Sequence, residues 1–355
     1  MLAFCNLGII ATEQRAMNER STMSLHVGPV RAVGVWRSFR CLVVLLAVCC
    51  VSVVTAPAAR AENWPCWRGP RGDGSSLERN VPLHWDGRTG RHVVWKTAVP
   101  GEGHASPIVW GERLFTVSCL LETKERLLLC FDRRTGRLLW RRTVITSPLE
   151  TKHPLNSYAS STPATDGQLV FVTFLEVSGE RVPARNVSRP REITAGRIVV
   201  AAYDFDGNRK WITRAGQFAS VHGFCSSPVL FEDLVIVNGD HDGDSYIVAL
   251  EKATGRIVWK TPREYKTRSY VVPLIRRIGG VPRLVLSGSK CVAAFDPRTG
   301  RRIWKVRGPT DQFVASPLFD GRYFFIVGGF PTYHAMAIRP GGSGDVTDTH
   351  VAWHV

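Results

Sequence analysis

The stretch Ala249-Leu-Glu-Lys-Ala-Thr-Gly-Arg-Ile-Val-Trp259 decides the fold, because it recurs. Cys130-Phe-Asp-Arg-Arg-Thr-Gly-Arg-Leu-Leu-Trp140 and Ala294-Phe-Asp-Pro-Arg-Thr-Gly-Arg-Arg-Ile-Trp304 repeat it, and Ala202-Tyr-Asp-Phe-Asp-Gly-Asn-Arg-Lys-Trp211 is one residue shorter. A looser copy runs from Asp86 to Trp95, and a decayed one ends at Trp353. Each copy reads as an apolar strand, a tight turn and a second strand. An acidic residue at the turn can accept from backbone N–H groups. Gly136, Gly255 and Gly300 supply the positive φ that closes the hairpin. A Trp at a fixed offset suits an anchor between neighbouring sheets, where an indole buries about 150–250 Å².

Upstream of each turn lies a second recurring element, Ser-Pro or Thr-Pro followed by alternating apolar residues: Ser106-Pro, Thr162-Pro, Ser227-Pro and Ser316-Pro. Pro is tolerated at the start of a strand. β-forming runs follow at 113–117, 169–174, 234–237 and 323–327. Each unit therefore reads as four short antiparallel strands. Successive Trp spacings from Trp95 to Trp353 are 45, 71, 48, 45 and 49. A period near 45 with four strands is that of a propeller blade. The long interval carries an Arg-rich insertion near 176–196, expected as an exposed loop. The predicted fold is an all-β propeller with five complete blades, starting near Ser106, Ser161, Ser227, Pro273 and Ser316, preceded by a partial strand at 92–99.

The N-terminus reads differently. Arg37-Ser-Phe-Arg40 precedes an apolar run, Cys41 to Val54, and Ala59-Arg60-Ala61 offers an A-x-A cleavage site. Charge, a short apolar core and small residues make a secretory signal, and the run falls short of the roughly 20 residues of a membrane span. The chain accordingly divides into 1–61, an extension with a signal peptide, and 62–355, the propeller. Met17 and Met23 are alternative starts. Leu46-Ala47-Val48-Cys49 is an imperfect lipobox, so membrane association follows only if Cys49 is lipidated. The expected place is periplasmic or secreted.

Five Cys remain after residue 61, at 66, 119, 130, 225 and 291, and their spacing matches no zinc motif. Cys119 and Cys130 fall on neighbouring predicted strands, which does not by itself make a bridge. The net charge of +16 comes from Arg scattered through turns, a solvated basic surface without the continuous stripe that nucleic acid needs. The Trp residues are committed to packing, and export separates the chain from nucleic acid; no nucleic-acid partner is expected.

The Ala-x-Asp-x-x-Thr-Gly-x-x-x-Trp pattern resembles the tryptophan-docking motif of PQQ-type β-propellers, with Trp95, Trp140, Trp211, Trp259, Trp304 and Trp353 in the docking positions. The opening Asn63-Trp-Pro-Cys-Trp-Arg-Gly-Pro-Arg-Gly-Asp-Gly74 is similar to that of short exported bacterial PQQ-like repeat proteins. The resemblance covers most of 63–355 and implies kinship in fold with quinoprotein dehydrogenases and with the outer-membrane assembly propeller. It also implies a ring of about eight blades, against which five read as a truncated version. For a dehydrogenase it implies a catalytic Asp, Ca²⁺ ligands and a vicinal Cys pair. The one Cys-Cys, Cys49-Cys50, lies in the signal peptide, and no haem-attachment Cys-x-x-Cys-His occurs. PQQ and catalysis are therefore not expected, and no catalytic residue is assigned.

Two polar sets are candidate sites. Asp240, Asp242 and Asp244 alternate in Asn238-Gly-Asp-His-Asp-Gly-Asp-Ser245, an arrangement of oxygens around a Gly turn that Ca²⁺ loops use. His104, Asn156, Ser157, His222, Arg268, Tyr270 and Gln312 lie just before the first strand of successive blades. They are expected to gather at one mouth of the channel as a ligand site. His104, His153, His222 and His241 share no metal-ligand spacing, and no Ser lies in a G-x-S-x-G elbow. Arg71-Gly-Asp73 matches an adhesion tripeptide that a Gly-rich turn explains, and Asn186-Val-Ser188 is a glycosylation sequon. The expected function is an exported non-catalytic scaffold for a protein, peptide or carbohydrate partner. The alternatives are a PQQ- and Ca²⁺-dependent oxidoreductase and an outer-membrane assembly lipoprotein.

Overall fold

The computed structural model describes residues 61–288 and 290–355; the signal peptide, the lipobox and the alternative starts lie outside them. Five sheets follow one another along the chain, each built on four antiparallel strands, and the fourth gains a short parallel fifth strand at its edge. Blade 1 holds β1 (Ile108–Trp110), β2 (Arg113–Leu120), β3 (Glu125–Asp132) and β4 (Leu138–Thr146). Blade 2 holds β5 (Ala164–Thr165), β6 (Leu169–Pro183), β7 (Glu192–Asp204) and β8 (Arg209–Ala219). Blade 3 holds β9 (Val229–Phe231), β10 (Leu234–Gly239), β11 (Tyr246–Glu251) and β12 (Ile257–Pro262). Blade 4 holds β13 (Leu274–Ile278), β14 (Val281–Gly288), β15 (Cys291–Phe295) and β16 (Arg302–Arg307). Blade 5 holds β17 (Leu318–Phe319), β18 (Phe324–Gly328), β19 (His334–Ile338) and β21 (Val351–His354); between its last two strands come β20 (Gly344–Asp345) and one helical turn, Thr347–His350. These are β-propeller blades, as the repeat predicts.

The strands form where apolar and β-branched residues concentrate, and the middle strands of blades 2, 3 and 4 are apolar on both faces because a neighbouring blade covers each face. One core cluster joins blade 1 to blade 2 through Phe115, Leu128, Val172 and Val199. A second joins blade 2 to blade 3 through Phe171, Val200, Val235 and Val248. A third runs through blades 3, 4 and 5 and includes Ile247, Leu286, Trp304 and Phe324.

The turn chemistry read from the repeat is present atom by atom. Asp132 Oδ1 accepts from the backbone N–H of Arg134 and of Thr135, at 3.0 and 2.8 Å. Gly136 N–H closes the turn on the Asp132 carbonyl at 2.9 Å, with φ +71° at the glycine.

Two expectations need correcting. The insertion at 176–196 is no loop: β6 and β7 continue through it, pairing Arg181 with Thr194 and Pro183 with Glu192 after a register shift beyond Val177. Alternating Arg181, Val182 and Thr194, Ile193 let the hairpin bury one face, and Ile193 is fully inside. The expected strand at 92–99 does not form, since no described strand lies beside it to take its hydrogen bonds. All five described cysteines are free thiols: Cys119 and Cys130 do lie on adjacent strands, but Cys119 faces Arg126 and Cys130 faces Phe115.

The chain splits into two compact units. Among the described residues, one contains Ala61, Glu62 and Glu78–His92, and the other contains Asn63–Leu77 and Val93–Val355. The first is built on the Asp86 turn, where Asp86 and Arg91 form a bridge and Asp86 Oδ1 accepts from Arg88 N–H at 2.8 Å. In the second, the blades' first strands adjoin, β1 with β5 and β5 with β9. The segment 63–74 meets them: Trp64 bridges Val109 of β1, and Thr165 of β5 donates its N–H to the Pro65 carbonyl at 2.8 Å.

Candidate functional site

The segments that lead into the first strands join hands from blade to blade. His104 N–H donates to Ser157 Oγ at 3.0 Å, linking the lead-ins of blades 1 and 2. Asn156 Nδ2 donates to the His222 carbonyl at 2.7 Å, linking blades 2 and 3. The His222 ring lies against Tyr270, with centroids 5.8 Å apart, and the Ser220 and Tyr270 hydroxyls are 3.3 Å apart, linking blades 3 and 4. Tyr270 N–H donates to the Phe313 carbonyl at 3.0 Å, beside Gln312, whose backbone bridges Phe330 in blade 5. Five of the seven sequence-predicted residues thus lie on one arc, Gln312 sits next to its last link, and Arg268 lies behind it.

The arc's polar groups are largely engaged with one another. Ser160 Oγ donates to Asn156 Oδ1 at 2.6 Å and stands 2.8 Å from Ser157 Oγ. His222 is half-buried, and burial, with Arg268, His153 and Arg191 nearby, pushes its pKa down to about 4. It is therefore a neutral ring at physiological pH. Burial pushes the Tyr270 phenol up, although its bond to Ser220 opposes this. Burial also holds the Cys225 thiol up at about 12, so it is no thiolate.

Arg268 sits behind the arc and ties it to the hairpin that sequence reading took for a loop. Its Nη1 lies 2.6 Å from Asp242 Oδ1 with both side chains buried, and its Nη2 donates to the Asn186 carbonyl at 3.0 Å. Asn186 Nδ2 returns a bond to the Lys266 carbonyl at 2.6 Å. Burial raises the Asp242 carboxyl while Arg268 pulls it back.

The three aspartates of the calcium expectation are not brought together in the structure. Asp240 is fully buried against Arg263, Nε to Oδ1 3.0 Å. Asp242 is taken by Arg268, and the exposed Asp244 pairs with Lys266 at 2.5 Å. The three carboxylates diverge to three cations. A Ca²⁺ site requires six to eight oxygens converging on one point, and among the described residues no group of three or more His, Cys, Asp or Glu comes together to hold a metal. Nor does the vicinal Cys pair of the dehydrogenase resemblance occur among the described residues.

Sequence reading missed Arg263, and it missed the buried pair Arg126–Glu150 at 2.6 Å, where Arg126 also donates to the Ser147 carbonyl. No sequence signal marks these, because each partner comes from a different strand end. The ring of His153, also in a blade lead-in, stands edge-on to His222 with centroids 5.4 Å apart.

The tryptophans line the blade interfaces. The indole N–H of Trp95 donates to the Arg133 carbonyl, Trp140 to Phe205, Trp211 to Lys252 and Trp259 to Pro297, at 2.9, 2.9, 2.8 and 3.2 Å. In each case the acceptor is in the turn of the following blade. Trp304 is buried with its Nε1 unbonded among the described residues, and Trp353 is 43% exposed with its ring on Phe325.

A blade array with this turn chemistry defines a class, the PQQ-like β-propellers. Residues 78–197 match the family model described as outer membrane protein assembly factor BamB. Among solved structures it is similar to BamB from Moraxella catarrhalis, with 12% identity over 75% of this chain and 68% of that one, TM-score 0.46. It is also similar to the quinohemoprotein alcohol dehydrogenase ADHIIG from Pseudomonas putida HK5, at 14% identity over 69% of this chain, TM-score 0.44. A europium-containing methanol dehydrogenase is 14% identical over 71% of this chain, TM-score 0.47. The chain spans 40% and 58% of the two dehydrogenases. No curated protein matches it.

Proposed function

We propose that this chain is an exported, non-catalytic propeller that binds a partner, a protein or peptide before a carbohydrate, on the face formed by its lead-in arc. The observation that carries the proposal is the arc itself: lead-ins of successive blades are bonded one to the next, so a rigid scaffold presents residues from several blades at once. Leu155, 75% exposed, and the exposed His153 stand out from it. An apolar side chain beside polar groups is what a macromolecular contact uses. The carboxylates buried behind the arc, Glu150, Asp240 and Asp242, are each engaged by an arginine, which supports binding over acid–base chemistry. The tryptophan–carbonyl bonds between blades support a docking role for those residues. Exposed Arg185 and Arg191 on the hairpin favour an acidic partner surface.

A photo-crosslinking residue at Leu155 should trap a recurring species in the host's exported fraction, with a yield that falls as salt rises. The same group at Val281, at the opposite end of blade 4, should not. Equal trapping from both positions, or PQQ- and Ca²⁺-dependent dye-linked alcohol oxidation, would overturn the proposal. Export is checked by the mature N-terminus: Glu62 means ordinary cleavage, a lipidated Cys49 an anchored protein.

A further inference from the structure

A second set of donor atoms lies on the last two strands of blade 5, outside the lead-in arc. β19 and β21 run antiparallel, with Met336 opposite His354 and Ala337 opposite Trp353. One step along, Ala335 and Val355 exchange both backbone hydrogen bonds at 2.9 Å. This register sets His334 and His354 diagonally on one face of the sheet, a spacing across which aromatic side chains reach one another. The two rings meet there. His334 Nδ1 stands 3.0 Å from His354 Nε2, with centroids 5.1 Å apart and planes inclined by 36°. Met336 and Ala337 beside them are buried, so the backbone under the pair is held. His334 is half-buried and His354 exposed, so solvent reaches the pair.

Two imidazole nitrogens face each other this closely only with a hydrogen or a cation between them. With a hydrogen, one ring donates and the other accepts. Each ring has a second nitrogen that can carry the hydrogen instead, which frees both facing lone pairs. Two metal–nitrogen bonds of about 2.0–2.1 Å, at an angle between square and tetrahedral, separate their donors by about 2.8–3.4 Å. The observed 3.0 Å falls inside that range. Among the described residues no other hydrogen bond or ion pair engages either ring. The other close histidine pair lacks this arrangement: His153 and His222 stand edge-on at 85°, and His153 Nδ1 already accepts from Leu155 N–H at 3.1 Å. Neutral imidazole suits copper, nickel and zinc where calcium and magnesium take oxygen, and Cu(II) binds such donors most tightly.

We infer that His334 and His354 form a two-histidine chelate for a divalent transition-metal ion, Cu(II) before Zn(II), held between His334 Nδ1 and His354 Nε2. No third His, Cys, Asp or Glu joins the pair among the described residues, so solvent completes the coordination and the site is open. It is independent of the binding face proposed above, and neither reading depends on the other.

The test is titration calorimetry of the untagged full chain with copper(II), zinc(II) and calcium chlorides, joined to EPR of the copper-loaded protein. Cu(II) should bind with one ion per chain in its tightest class, Zn(II) more weakly and Ca²⁺ not at all. The EPR spectrum should carry splitting from two imidazole nitrogens. Losing even an outer hydrogen-bond partner of a metal ligand costs about 10–100-fold in affinity. His334→Gln and His354→Gln should therefore each weaken Cu(II) by at least about tenfold. His350→Gln removes a neighbouring histidine whose Nδ1 lies 2.8 Å from Thr349 Oγ1, and it should leave Cu(II) binding unchanged. Absence of tight copper binding, copper held by a single nitrogen, undiminished binding by either pair variant, or an equal loss from His350→Gln would overturn the inference. Both rings reach solvent, so the variants should fold; if one does not, the other variant and the nitrogen count decide.

Discussion

Trp211 and Trp304 end the same repeat two blades apart, yet they meet different neighbours. Trp211 lies over the turn of blade 3, where a Cβ at Gly255 would stand 2.5 Å from its ring, and its N–H finds the Lys252 carbonyl at 2.8 Å. Trp304 is more deeply buried, 1% exposed, and its N–H finds no acceptor among the described residues. The difference lies in the next blade. Blade 3 has the short turn from Glu251 to Gly255, which points a carbonyl back at the indole. Blade 5 replaces it with the connection 339–350, whose β20 adds a parallel edge to β16 at Trp304 and Lys305. In blade 5 the backbone of the tryptophan strand gains a partner while its side chain loses one. A tryptophan in this repeat is thus an anchor only if the following turn supplies the acceptor.

The largest expected effect comes from filling the space under a docked ring. Gly255→Ala should cost about 2–5 kcal/mol in urea unfolding, from left-handed strain and a clash with Trp211. Gly111→Ala has a similar positive φ, +56°, with nothing within 4 Å of the new Cβ. It should cost only the strain, about 1–2 kcal/mol. Equal costs would mean that the ring contact contributes nothing.

A smaller effect is expected from pH. His241 lies buried in the turn of blade 3, its Nδ1 accepting from Ala219 N–H at 3.2 Å and its Nε2 placed to donate to the Asp244 carbonyl at 3.1 Å. Burial pushes its pKa down to about 4. An unfolded histidine takes a proton near 6.5. Stability from this group is therefore complete above about pH 6.5 and is lost as pH falls toward 4. By pH 4.5 the loss should be about 2 kcal/mol. His241→Asn should flatten the stability–pH profile by about that amount, and an unchanged profile would show that the ring is solvated.

Local features of this molecule were legible in sequence, and non-local ones were not. Asp132, Thr135 and Gly136 sit within one turn, so their spacing alone gave the hairpin and, by repetition, the blades. The lead-in residues were legible for the same reason: Asn156, His222 and Tyr270 occupy equivalent places in successive repeats. The Asp240–Asp244 run misled because its meaning depends on residues outside it. Arg263 and Arg268 come from the segment after β12 and neutralise two of the carboxylates. The hairpin beyond Val177 was hidden by its arginines, which face solvent while Ile193 points inward. The role of 63–74 could not be read at all, since its partners, Val109, Thr165 and Arg276, are spread over three blades.

The most direct test of the central claim, that blades lock where an indole meets the next blade's turn, is urea unfolding of Trp211→Phe and Trp304→Phe beside the parent. Phenylalanine keeps most of the apolar contact and removes the N–H. At position 211 the orphaned Lys252 carbonyl should cost about 1–3 kcal/mol beyond the lost area. At position 304 the unbonded N–H disappears with its desolvation penalty, so the loss should be smaller by about that amount. Equal losses at the two positions would contradict the account.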